Sequence, residues 1–144
     1  MSGPYLKVMV VPVRMARDWE VLVLRRPPTK GGVWAPVTGN VEPGETVEAA
    51  AARELEEETG LGAVGALHRT GFVNHFSKPY HEGARSFEES VFAAIVRLGA
   101  KVRLSHEHVD SKWVAPATAV EMVAFDGCKR GVESAVRTVE GKLR

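Results

Sequence analysis

Between Thr46 and Thr59 the chain carries neither glycine nor proline, runs through four consecutive alanines (Ala49 to Ala52), and meets Gly60 immediately afterwards. Alanine is the best helix former and glycine the usual residue at a helix C-terminus, so the segment predicts a helix with a defined stop. The same region concentrates charge. Seven of the 18 acids lie from Glu42 to Glu58 (Glu42, Glu45, Glu48, Glu54, Glu56, Glu57 and Glu58), against one base, Arg53. Glu45 and Glu48 sit near the positive end of the helix dipole, where acids are favoured.

At ~100° per residue, Glu54, Glu57 and Glu58 fall within a sector about 100° wide. Followed toward the N-terminus, that sector contains Val47, Ala50 and Ala51. The three carboxylates therefore continue an apolar stripe instead of occupying the wet side of the helix. Like charges three and four residues apart cost a helix a few tenths of a kcal/mol per pair. Arg53 offsets part of this through Glu56 and Glu57 and leaves the rest uncompensated. Clustered carboxylates are the oxygen ligands that hard cations such as Mg2+ prefer, and Mg2+ commonly also binds substrate phosphates. The charge pattern alone is compatible with such a site or with a structural acidic face.

The rest of the chain reads as alternating strands and helices. Lys7–Val13 is rich in β-branched residues, and Glu20–Leu24 follows a polar turn at Asp18, which suggests a hairpin. Arg25 to Gly32 is a Pro/Gly-rich loop. Phe87–Leu98 has the length and apolar content of a central strand, Lys112–Val114 reads as a short one, and Pro116–Val123 opens a second helix. Val132, Val136, Val139 and Leu143 recur at helical spacing. No repeat or linker interrupts residues 1–144, so a single α/β (α+β) domain is expected, a mixed sheet packed by helices.

Composition narrows the function. Lys and Arg total 19 against 18 acids, a formal charge of +1, so the basic footprint of a nucleic-acid binder is absent. Cys128 is the single cysteine, which excludes an internal disulfide. The longest apolar run, Val91 to Val96, is far short of the ~20 residues a bilayer requires. The first residues lack a basic segment leading into an apolar one, so a cytoplasmic protein without membrane contact is expected.

The spacing Gly39, five residues, Glu45, seven residues, then Arg53-Glu54-Leu55-Glu56-Glu57-Glu58-Thr59-Gly60-Leu61 resembles the 23-residue signature of the Nudix hydrolases, with every defined position filled. The resemblance implies the Nudix fold, a mixed β-sheet in an α/β/α sandwich, with residues 39–61 forming a loop–helix–loop. It also implies hydrolysis of a nucleoside diphosphate linked to another group, with Mg2+ as cofactor and Mn2+ as a substitute. Carried over by position, Glu54, Glu57 and Glu58 match the metal-binding carboxylates, and Arg53 matches the arginine that orients one of them. Glu45 matches a supporting acid that orders the loop. Gly39 corresponds to a tight backbone turn, the adjacent Thr38 carbonyl to a metal ligand, and Gly60 to the structural end of the box.

Outside the box, Trp34-Ala35-Pro36-Val37-Thr38-Gly39 and Glu107-His108-Val109-Asp110-Ser111-Lys112-Trp113 resemble the bacterial dATP pyrophosphohydrolases that act on dihydroneopterin triphosphate. In that group the acid at the Glu107 position faces the metals as a ligand or base, and Lys7 and Arg26, with Thr38, fall where phosphates are contacted. The Pro27–Gly32 loop is longer and richer in Pro and Gly than in that group. The implied reaction is attack of water on phosphorus, yielding a monophosphate and pyrophosphate from a triphosphate. Dinucleoside polyphosphates or oxidised nucleotides fit the same box, as does a domain that binds a nucleotide without cleaving it. Pairing with a second copy is left open.

Other signals carry less. Gly60-Leu61-Gly62-Ala63-Val64-Gly65 matches a dinucleotide-binding glycine pattern but follows a helix and opens none. His106 and His108 flank Glu107 without a Cys partner or a third His at suitable spacing, and read as surface or hydrogen-bonded histidines, not a zinc site. Phe87 and Phe92 are expected in the core, Trp34 in packing, and Cys128 in no nucleophilic role.

Overall fold

A computed structural model describes residues 3–81 and 83–142. Met1, Ser2, Leu143 and Arg144 lie outside them, so the predicted amphipathic pattern is followed only as far as Val139.

The order of elements is β1 (Tyr5–Met15), β2 (Trp19–Arg25), a short 3-10 turn (Pro28–Lys30), β3 (Trp34–Ala35), β4 (Val37–Asn40), α1 (Val47–Thr59), β5 (His68–Tyr80), β6 (Gly83–Ile95), β7 (Asp110–Val114), α2 (Pro116–Met122) and α3 (Asp126–Lys142). The strands form one mixed sheet in the order β3-β2-β1-β6-β5, with β4 also paired to β1 and β7 to β2. β1 runs parallel to β6 and antiparallel to β2 and β4.

β1 is apolar without alternation because both of its faces are covered. Val8 and Val10 pack with Ala50, Ala51 and Leu55 of α1. Met9, Val11 and Val13 pack on the opposite face with Val132, Val136 and Val139 of α3. Helices on both sides give the expected α/β/α sandwich. Phe87 and Phe92 are buried, as expected. No helix among the described residues is long and apolar enough to cross a membrane.

Two differences from the expected elements stand out. The central strand β6 begins at Gly83, earlier than Phe87, and ends at Ile95. It begins early because it pairs with β5, a strand the sequence did not signal. β5 lies at the sheet edge and is exposed over much of its length, so its polar residues show no burial pattern to reveal it.

Candidate active site

Thr46 caps α1, its Oγ1 accepting from the Ala49 N–H at 3.1 Å, and Gly60 closes the helix at φ 71°, a conformation that favours glycine. Ala50, Ala51 and Leu55 are driven under the sheet, and this orientation carries Glu54 and Glu58 inward with them, to 8% and 5% exposure. Glu57 lies at the sector's margin, its side chain 54% exposed. The stripe thus buries two of the three carboxylates.

Arg53 organises the outer part of the cluster. Its Nε donates to Glu45 Oε2 at 2.8 Å and its Nη2 to Glu45 Oε1 at 3.0 Å, a two-pronged pair. Nη2 also donates to the Asn40 carbonyl at 2.9 Å, tying α1 to the end of β4. Nη1 donates to Glu54 Oε2 at 3.0 Å and Glu57 Oε2 at 3.1 Å. The expected pairing with Glu56 does not form, because Glu56 is exposed while the guanidinium is drawn toward the loop that precedes the helix. Glu45 in turn accepts from the Glu42 N–H at 3.0 Å, which orders that loop. The Arg53 bonds hold the Glu45 carboxyl down to about 2.

Gly39 does not make the tight turn expected of it. It lies inside β4, opposite Val8 of β1, and its φ is not left-handed. A Cβ there would collide with the Glu54 carboxyl. Glycine is required by that close approach, which a sequence pattern cannot distinguish from a turn.

The inner part of the cluster is completed by residues 103–108. The Arg103 N–H bonds the Thr59 carbonyl at 2.8 Å and the Ser105 N–H the Glu58 carbonyl at 3.3 Å, docking this segment on the last turn of α1. Ser105 Oγ donates to Glu58 Oε1 and accepts from the Glu107 N–H at 3.2 Å. Glu107 is thereby brought close enough to share a proton with Glu58. Burial first, and then this neighbour, push the Glu58 carboxyl up to about 7. The hydrogen bond from Glu58 moves Glu107 the other way, below the ordinary carboxylate value. Burial also raises Glu54, against the pull of Arg53.

His108 corrects its expected role. It is neither on the surface nor hydrogen-bonded through Nδ1: its side chain is 9% exposed, and Nδ1 lies 3.4 Å from Glu58 Oε1 without a hydrogen bond. Burial lowers its pKa, which favours the neutral imidazole. His106 is exposed.

Thr38 lies where three cavities meet. One of about 140 Å³ is bounded by Arg26, Lys30, Glu58, Glu107 and His108. A second, about 490 Å³, is bounded by Lys7, Arg53, Glu54, Glu57 and Glu107. The third, about 300 Å³, opens over Lys7, Arg26, Asn74, Phe76 and Glu89. Arg26 Nη2 donates to Thr38 Oγ1 at 3.5 Å, and Lys7 Nζ to Asn40 Oδ1 at 3.0 Å. Carboxylates therefore face cations across spaces large enough for a phosphate chain.

Among the described residues, no three His, Cys, Asp or Glu side chains stand together in a way that could hold a metal ion. Arg53 turns Glu54 and Glu57 onto itself. The donor chemistry nevertheless suits a hard cation, because the crowding of Glu58 and Glu107 is relieved by one shared proton where a cation would relieve it as well. Ser105, Asn40 and Asn74 were not signalled by sequence, and the burial of His108 against Glu58 was not either. Their roles depend on contacts between distant segments. Cys128 is buried and its thiol is pushed up to about 11, consistent with no nucleophilic role.

The chain matches the NUDIX domain model over residues 4–130. It is 39% identical over 138 residues to an octanoyltransferase of Myxococcus xanthus, covering 93% of this chain and 38% of that protein's length. It is 30% identical over 99 residues to the asymmetrical bis(5'-nucleosyl)-tetraphosphatase of Rattus norvegicus, covering 67% of this chain and 65% of that one. Among solved structures, the E. coli dihydroneopterin triphosphate pyrophosphohydrolase superposes with TM-score 0.77 at 25% identity, over 94% of this chain and 99% of that one. A C. elegans Ap4A hydrolase shares the fold, with TM-score 0.74 at 23% identity over 95% of this chain and 98% of that one. With the signature spacing of residues 39–61 built into one carboxylate cluster, and the family model spanning the whole sheet with α1 and α2, the chain belongs to the NUDIX domain family.

Proposed function

We propose that the chain is a Mg2+-dependent hydrolase that cleaves a phosphoanhydride in a nucleoside or pterin triphosphate, giving the monophosphate and pyrophosphate. The observation that carries this reading is the convergence of Glu58 and Glu107, from distant segments, opposite Arg26 and Lys30 across one small cavity. Presence of all the acids supports turnover over binding alone.

Glu54, Glu57, Glu58 and Glu107, with the Thr38 carbonyl, are the groups that would hold the metal. When bound, it supplies Lewis acidity, lowering the pKa of the attacking water and offsetting charge on the phosphoryl oxygens. The chain's own residues do the rest. Arg53 and the space left by Gly39 hold Glu54 in position. Ser105 fixes Oε1 of Glu58 beside Glu107, and this pair would take the proton from the attacking water. Lys7 and Arg26 would bind the phosphates, and the bridging oxygen would leave with pyrophosphate.

A second reading, cleavage of a dinucleoside polyphosphate, is supported by the likeness to the rat tetraphosphatase. The experiment is a Mg2+-dependent turnover screen over dNTPs, dihydroneopterin triphosphate, diadenosine polyphosphates, ADP-ribose and 8-oxo-dGTP. Pyrophosphate released with a monophosphate bears out the first reading, and preference for diadenosine compounds selects the second. Tight binding without turnover would overturn both.

A further inference from the structure

Glu89 is 3% exposed, yet it borders the 300 Å³ cavity beside Lys7 and Arg26. It stands in the middle of a row across three strands, opposite Lys7 of β1 and Asn74 of β5. A carboxyl buried this deeply normally has its oxygens satisfied by donors. Here the one hydrogen bond described to its side chain comes from Asn74 Nδ2, at 3.1 Å to Oε1. Among the described residues no cation lies within ion-pair distance of it: Lys7 Nζ donates to Asn40 instead. Glu89 Oε2 and Asn74 Oδ1 are therefore two acceptors left without a described donor at one wall of a cavity.

The position of Asn74 is restricted from the other side. A Cβ on Gly127, in the first turn of α3, would collide with its amide, so the helix start closes down on Asn74. One Nδ2 hydrogen is given to Glu89, which fixes the amide's sense and leaves its oxygen as an acceptor. Phe76 and Phe125 border the same cavity and supply apolar surface for a flat ring.

We propose that Glu89 and Asn74 select the base of the substrate, and that they take a 2-amino-4-oxopyrimidine ring, the unit shared by guanine and pterin. That ring presents a ring N–H beside an exocyclic NH2, two adjacent donors for two acceptors. Adenine offers one donor beside an acceptor, and hypoxanthine lacks the amino group. A site whose acceptors stay unpaired with the wrong ring, once that ring has displaced water from them, discriminates against it. The proposal rests on the hydrolase reading for the placement of the phosphates in the neighbouring cavities. It assigns the base specificity that reading leaves open.

The test is equilibrium binding of monophosphates to the wild-type protein, which needs no turnover. GMP and dihydroneopterin monophosphate should each bind roughly tenfold or more tighter than IMP and AMP. Comparing GMP with dihydroneopterin monophosphate then decides which ring system the cavity prefers. The variant Glu89→Gln, its fold checked by thermal melting, should lose the preference for GMP over IMP. Equal binding of GMP and IMP, tighter binding of AMP, or no binding of any of the four overturns the proposal. So does a folded E89Q that keeps the preference. A protein that binds GMP selectively but hydrolyses no triphosphate would overturn the catalytic reading and leave this one standing.

Discussion

Ser105 donates its hydroxyl proton to Oε1 of Glu58, a residue 47 positions earlier in the chain. This contact joins the two halves of the site. Through it and the adjacent backbone bonds, a loop beyond β6 places Glu107 beside the last turn of α1.

Replacing Glu58 with glutamine should preserve the fold, because the amide fills the same space and no charge is left buried. Mg2+-dependent turnover should fall about a thousandfold, equivalent to roughly 4 kcal/mol of transition-state stabilisation. Steady-state kinetics beside a melting curve check this. A folded variant with near-normal turnover would remove Glu58 from the catalytic set.

The raised Glu58 pKa makes the metal-free protein pH-sensitive in a definite direction. The folded state holds a proton on Glu58 up to about 7, whereas the unfolded chain releases it near 4.5. Folding stability from this group is therefore full below the lower value and falls as pH rises through the higher one, by on the order of 2 kcal/mol. Glu107, whose pKa is lowered, works oppositely and only below the ordinary carboxylate range. Denaturant titrations from pH 4.5 to 8 should show the decline, E58Q should flatten it, and Mg2+ should raise the melting temperature more at pH 8 than at pH 5.

Arg53→Ala removes the donors to Glu45, Glu54, Glu57 and the Asn40 carbonyl together. Hydrogen bonds to charged groups of this kind are worth ~1.5–3 kcal/mol each when lost, partly recovered by water at so open a site. A destabilisation of roughly 2 kcal/mol is expected in urea titrations, with turnover reduced as well. Arg53→Lys should recover little, since an ammonium cannot reproduce the fork to Glu45.

Gly39→Ala tests the close approach directly. The backbone there accepts alanine, so the cost should come from the collision with Glu54, about 1–3 kcal/mol. In an Glu54→Ala background the same change should cost much less, and a double-mutant cycle of melting free energies measures the difference. Additive effects would show that Glu54 is not what Gly39 makes room for.

Cys128 should resist thiol reagents in the folded protein. Its sulfur is buried and its pKa is pushed up to about 11, so little thiolate is present at neutral pH. Thiol titration before and after denaturation should show labelling only in the second case.

By itself the sequence determined whatever depends on neighbours along the chain. The helix from Val47 to Thr59, its glycine stop, the inward stripe ending in Glu54 and Glu58, and the β-branched strand β1 all follow from local propensity and periodicity. The box spacing is equally local, since one helix and its preceding loop carry it. Tertiary structure decided the rest. The polar edge strand β5 exists because β6 pairs with it, the collision that requires Gly39 comes from a side chain 15 positions away in the numbering, and Glu57 turns outward while Glu58 turns in. Burial and the neighbouring Glu107, opposed by the Ser105 hydrogen bond, set the protonation of Glu58, and those residues reach it only when the chain has closed on itself. Contacts of that kind have no period and no fixed spacing, so they become visible only in the folded molecule.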